Sequence, residues 1–119
     1  MSRRTERIAE QVLEELASVL RESATDPRLK LVNLLRVDVS PELSNALVYW
    51  SMLDLKGQMD LEAAAQGLAS ASGFLRRELA QRLSGMRRIP ELRFRHDPSL
   101  ALGSRTLSVL SSLSDGEKA

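Results

Sequence analysis

A chain of 119 residues, 43% of them hydrophobic, has the size and composition of one folded domain and is too apolar to be disordered. It contains no cysteine, which excludes disulfides, thiolate metal sites and cysteine nucleophiles, and no apolar run approaches the roughly eighteen residues of a membrane span. The net charge of +1 conceals a polar distribution: five acids face one lysine between Asp38 and Glu62, whereas eight arginines face three acids between Arg76 and Arg105.

Arginine outnumbers lysine fourteen to three. Its planar fork suits bidentate phosphate contacts, although a codon composition that favours arginine would give the same excess. Met1 to Arg7 leads directly into an amphipathic stretch that contains acids and lacks a hydrophobic signal core, so a cytoplasmic protein is expected.

Ile8, Val12, Leu13, Leu16, Val19 and Leu20 recur at helical spacing and predict an amphipathic helix from about Arg4 to Glu22, with Glu6, Glu10, Glu14 and Arg21 outside. Asp26-Pro27 ends it. From Leu31 to Val39 the pattern alternates, with Leu35, Val37 and Val39 on one face and Arg36 and Asp38 on the other. Ser40 to Asn45 is rich in turn formers. Ala46 to Leu53 predicts a second strand that places Ala46, Val48, Trp50 and Met52 inward, and the close connection predicts an antiparallel hairpin.

Asp54 to Met59 reads as a loop, with Asp60 as the N-cap of a helix from Leu61 to Leu83. Ala71-Ser72-Gly73 interrupts that helix: glycine costs about 1 kcal/mol relative to alanine in a helix interior, and serine can hydrogen-bond the backbone in competition with the ladder. Small residues there let two helices pack; they also let a phosphate approach backbone amides at a helix start. Gly85 is expected as the C-terminal cap. Glu91 to His96 predicts a third strand with Leu92, Phe94 and His96 on an apolar face and Arg93 and Arg95 on a cationic one. Leu100, Leu107, Leu110 and Leu113 suggest a further short helix or turn, and Ser114 to Ala119 a flexible polar tail. One domain, residues 1–113, with a tail at 114–119 is the resulting division.

Helices segregated from a small three-stranded sheet make an α+β fold with the helices packed on one face. The order helix, strand, strand, broken helix, strand matches a bacterial-type (type II) KH domain. Such domains hold nucleic-acid backbone in a Gly-x-x-Gly loop. No Gly-x-x-Gly occurs in this chain, and Ala71-Ser72-Gly73 stands in its place.

A succession of short blocks then becomes recognisable. Asp26-Pro27-Arg28-Leu29 precedes Val37-Asp38-Val39-Ser40-Pro41-Glu42-Leu43 and Ala46-Leu47-Val48-Tyr49. Ala71 to Leu79, Arg88 to Phe94 and Asp97-Pro98-Ser99 follow. In this order and spacing the blocks resemble the ribosome-binding factor A family over nearly the whole chain. The resemblance implies a KH-like fold with a helix-kink-helix at Ala71, Ser72 and Gly73. It also implies binding to the small (30S) ribosomal subunit and its 16S rRNA near the neck, assistance to late rRNA processing, notably in the cold, no enzymatic activity, and a monomer. Where the family often carries threonines in its first strand, this chain has Asn33, Leu34 and Leu35.

The expected RNA-binding residues are cationic. Arg76, Arg77, Arg82, Arg87, Arg88, Arg93 and Arg95 are concentrated in the C-terminal half, and Ser72 and Gly73 adjoin them. Arg3, Arg4 and Arg7 cluster at the start of the first helix, where cations oppose the helix dipole and so are not explained by helix stability. Arg28 and Lys30 lie in the following connection. The break at Gly73 could touch RNA itself, but turning the next helix so that Arg76 and Arg77 can do so is the better reading. Aromatics are too few for an RRM-like platform, and only Tyr49 is placed on the open face, so phosphate and shape recognition are expected. His96, the only histidine, lacks a positioned partner and reads as structural. No nucleophile elbow, phosphate loop or metal-ligand spacing appears, so neither cofactor nor metal is expected. A protein-interaction module with no RNA contact is the competing function.

Overall fold

The computed structural model describes residues 3–22, 25–52 and 60–98. The predicted segment after Ser99, the tail and the loop from Asp54 to Met59 lie outside the described residues. Elements run in the order α1 (Arg3–Glu22), a 3-10 turn (Pro27–Leu29), β1 (Val32–Val39), β2 (Asn45–Met52), α2 (Leu61–Arg82) and β3 (Glu91–His96). The sheet order is β1-β2-β3. β1 and β2 are antiparallel, while β2 and β3 are parallel and joined through α2. This is the expected α+β, type II KH-like arrangement, with the helices on one face of the sheet.

In α1 the buried residues are Thr5, Ala9, Val12, Leu16 and Val19. They are spaced by four, three, four and three, which keeps them on a single stripe. Ile8, Leu13 and Leu20 flank that stripe as half-buried contacts. The stripe lies on Val37, Val39, Ala46, Val48 and Leu92 from the sheet and on Leu75 and Leu79 from α2. A second cluster gathers Leu29, Trp50, Met52, Ala64 and Leu68. Leu20, Leu34, Ala71 and Phe94 touch both clusters and join them into one core. Each large aliphatic side chain fully buried there is worth roughly 1.5–3 kcal/mol.

The hairpin forms as expected, but its first strand differs in one detail. Leu34 pairs with Trp50 and Arg36 with Tyr49, so Leu35 is an extra residue bulged out of register. Val37 and Val39 face the core as predicted, whereas Leu34 rather than Leu35 continues that face. Two adjacent leucines hide such a slip, because either satisfies an apolar pattern. The turn is tied by Ser40, whose hydroxyl accepts the amides of Ser44 (3.1 Å) and Asn45 (3.0 Å). Leu43 adopts a φ of 64°, unusual for a branched residue. Its side chain packs against the core and its amide bonds the Ser40 carbonyl at 2.8 Å, which together hold that conformation.

Asp60 caps α2 as predicted, accepting the Ala63 amide at 3.0 Å. The expected interruption does not divide the helix. α2 is one element of 22 residues running through Ala71, Ser72 and Gly73. The Ser72 hydroxyl donates to the Ala69 carbonyl at 3.0 Å, so it bonds back along the helix without replacing the ladder. Gly85 is not the C-terminal cap expected: Leu83 closes the helix by bonding the Leu79 carbonyl at 2.7 Å, and the φ of Gly85 lies outside the left-handed region.

The glycine that packing requires is Gly67. It is buried, and a Cβ there would lie 3.1 Å from Leu29 Cδ2 and 3.2 Å from Arg28 Cβ. A Cβ at Gly73 would meet only the Arg77 guanidinium, at 3.6 Å. Close approach thus occurs against the 3-10 turn, nearly two helical turns before the predicted break.

Candidate nucleic-acid interface

Three of the cations singled out in the sequence are occupied by the protein itself. Arg28 forms a fork with Asp26, at 3.0 and 3.1 Å from Nε and 2.7 Å from Nη2, while its amide bonds Oδ1 at 2.9 Å. The Arg28 side chain and then its amide hold the Asp26 carboxyl below the usual range. The pair stiffens the turn that covers Gly67. Arg82 bonds the Ser18 hydroxyl at 3.0 Å, Glu15 at 3.4 Å and Glu22 at 3.3 Å, with Glu78 at 4.0 Å. It clamps α2 to α1. Arg76 donates to the Ile89 carbonyl at 2.8 Å and fastens α2 to the loop before β3.

The remaining cations divide into three groups and one separate lysine. Arg77 and the loop residues Arg87 and Arg88 are exposed and make no ion pair or hydrogen bond among the described residues. The Arg76–Ile89 bond brings their two segments together. One acid approaches this group: the Glu42 carboxyl is lowered chiefly by the Ser44 hydroxyl, then by its own backbone, and also by the charge of Arg88. Arg3, Arg4 and Arg7 are exposed on the first turns of α1 and form the second group. Lys30, also exposed, borders a cleft of about 760 Å³ between the end of α1 and the start of β1.

Arg93 and Arg95 form the third group, exposed at alternate positions of the edge strand β3, and Arg93 also lines the groove between β3 and α2. Arg93 is paired with Leu47 and Arg95 with Tyr49 across the parallel ladder. The inward residues of β3 are those predicted, with Leu92 buried and Phe94 against both core clusters. The His96 ring meets Trp50 edge-on, with centroids 4.9 Å apart.

Ser72 and Gly73 do not supply amides at a helix start, because α2 is continuous through them. Ser72 instead borders a groove of about 330 Å³ between α2 and β3, lined by Ala65, Ala69, Leu92 and Phe94 among others. Sequence reasoning missed Arg36, whose guanidinium lies 3.9 Å from the Tyr49 ring centroid. Both outward positions were legible, but their stacking depends on a register that the Leu35 bulge sets. Among the described residues no group of three or more His, Asp or Glu side chains could hold a metal ion, and no helix is long and apolar enough to cross a membrane.

A type II KH-like domain with unpaired arginines beside its central helix is a fold of the nucleic-acid-binding class. The profile of the ribosome-binding factor A family matches residues 4–110. The chain belongs to the ribosome-binding factor A family. It is 39% identical over 107 residues to ribosome-binding factor A of Aromatoleum aromaticum, covering 90% of this chain and 82% of that protein. It is 42% identical over 111 residues to that of Pelobacter propionicus, covering 92% and 88%. The crystal structure of ribosome-binding factor A from Thermus thermophilus superposes with a TM-score of 0.66 at 29% identity, covering 77% of this chain and 93% of that one. A Thermus thermophilus homology model fitted into the cryo-EM map of a 30S–ribosome-binding factor A complex has a TM-score of 0.64 at 29% identity, covering 79% and 96%.

Proposed function

We propose that this protein binds the immature small ribosomal subunit, contacts 16S rRNA near the neck and assists late rRNA processing and subunit maturation. It acts as a cytoplasmic monomer, by binding and without catalysis. The observation that carries this reading is the unpaired cation group Arg77, Arg87 and Arg88, set beside the central helix of a chain that belongs to this family. The Thermus relative fitted into a 30S complex supports the choice of partner. Exposed arginine forks suit phosphate contacts, which position a protein on RNA without reading sequence. Arg3, Arg4 and Arg7 add a second phosphate contact. Arg28, Arg76 and Arg82 serve the fold and act on RNA only through the surfaces they position.

Sedimentation of a cell extract tests the partner. Co-migration with free small subunits and absence from polysomes is the expected result. Absence from every ribosomal fraction would overturn it.

A further inference from the structure

The helix-free face of the sheet carries a cross-strand row that the phosphate reading does not use. Arg36 of β1, Tyr49 of β2 and Arg95 of β3 are successive register partners. They span two interstrand spacings, about 10 Å, on the scale of one nucleotide. The Arg36 guanidinium stands 3.9 Å from the Tyr49 ring centroid and keeps 56% of its side chain exposed. The next row holds Asp38, Leu47 and Arg93. Asp38 approaches Arg36 at 3.7 Å and steadies it from the side. Arg93 and Arg95 make no ion pair or hydrogen bond among the described residues.

We infer that this face is a stacking site for an unpaired base of single-stranded RNA, built on the Arg36–Tyr49 pair and flanked by phosphate contacts from Arg93 and Arg95. A guanidinium laid over a ring has its rotamer restricted before any ligand arrives, and its outer plane offers a flat cationic surface on which a base can stack. Simple charge attraction would not need the ring or the planar head. With Asp38 and Glu91 nearby, this face is also less cationic than the Arg77, Arg87 and Arg88 group. Stacking with local phosphate contacts therefore fits it better than duplex binding, which relies on backbone charge and shape. The inference rests on the proposed rRNA function only for the choice of RNA as the ligand.

The test uses the full chain with a labelled, unstructured RNA 12-mer and a duplex of the same length, read by fluorescence anisotropy. Tyr49→Leu removes the ring. Arg36→Lys keeps the charge but loses the plane, and Tyr49→Phe keeps the ring. Leucine at 49 and lysine at 36 should each weaken single-strand binding roughly tenfold, in the range of one base stack. Tyr49→Phe and the duplex affinity should stay near the parent values. Should Tyr49→Leu fail to fold, Arg36→Lys at its exposed site carries the test alone.

Equal single-strand affinity for all variants overturns the inference, as does an equal loss on single strand and duplex. If that happens while the chain still binds small subunits, the sheet-face site falls and the proposed function stands. Loss of subunit binding with unchanged oligonucleotide binding would give this face to a protein partner and overturn the RNA assignment.

Discussion

The two halves of α2 are held in different ways. From Leu61 to Ser70 the helix lies against the 3-10 turn and the far end of β2 through Ala64, Gly67 and Leu68, so closely that even a Cβ at Gly67 would press on Leu29 and Arg28. From Leu75 to Arg82 it buries Leu75 and Leu79 in the main core and is fastened by two arginines, Arg76 to the β3 loop and Arg82 to α1. Ala71 touches both core clusters and marks the changeover. The small residues at Ala71-Ser72-Gly73 therefore coincide with a change of packing partner, not with a break in the helix. Contact at the first half is backbone against turn, which is intolerant of volume. The second half exchanges long side chains, which leaves its outer surface free to carry Arg77.

That contrast can be broken most sharply at Gly67. Gly67→Leu should destabilise the protein by about 1–3 kcal/mol, the usual cost of overpacking a filled site, as measured by urea unfolding. A neutral result would mean that the 3-10 turn is not pinned against α2. Gly73→Ala should do the reverse, raising stability by up to about 1 kcal/mol, because α2 is helical there and the added Cβ meets only ordinary contact. A marked loss of stability at Gly73 would restore the divided helix.

The smallest effect concerns the arginine clamp. The Glu22 carboxyl is lowered first by the Ser18 hydroxyl and then by Arg82. A carboxyl lowered on folding contributes stability that is present above its unfolded pKa and is lost as pH falls through its folded one. Arg82→Gln should therefore unfold more easily at neutral pH, and its stability should approach the parent's as Glu22 becomes protonated. Parallel pH curves for the two proteins would dismiss Arg82 as the source of that dependence.

Much of this fold was legible because periodicity is local. The stripe from Val12 to Val19, the alternation from Ala46 to Trp50 and the Asp60 cap each follow from neighbours in sequence. What escaped depends on partners brought together only by folding. Leu35 and Leu34 could not be told apart as the inward residue, and Gly67 drew no notice because its obstacle is Leu29. The basic surface was legible in composition but not in use. Arg82 looks like any other exposed cation until Glu15, Ser18 and Glu22 of α1 arrive beside it. Arg28 is different, since Asp26 stands two residues away and a local fork could have been anticipated.

The central claim is that Arg77, Arg87 and Arg88, left unpaired while their neighbours hold the fold, bind small-subunit rRNA. It is tested most directly by titrating purified small subunits with the parent chain and with a folded Arg77→Gln, Arg87→Gln, Arg88→Gln variant over a range of salt concentrations. The variant should bind more weakly and show a shallower dependence of log affinity on log salt, by roughly 0.7–0.9 for each phosphate that is no longer neutralised. Unchanged affinity with an unchanged slope would contradict it.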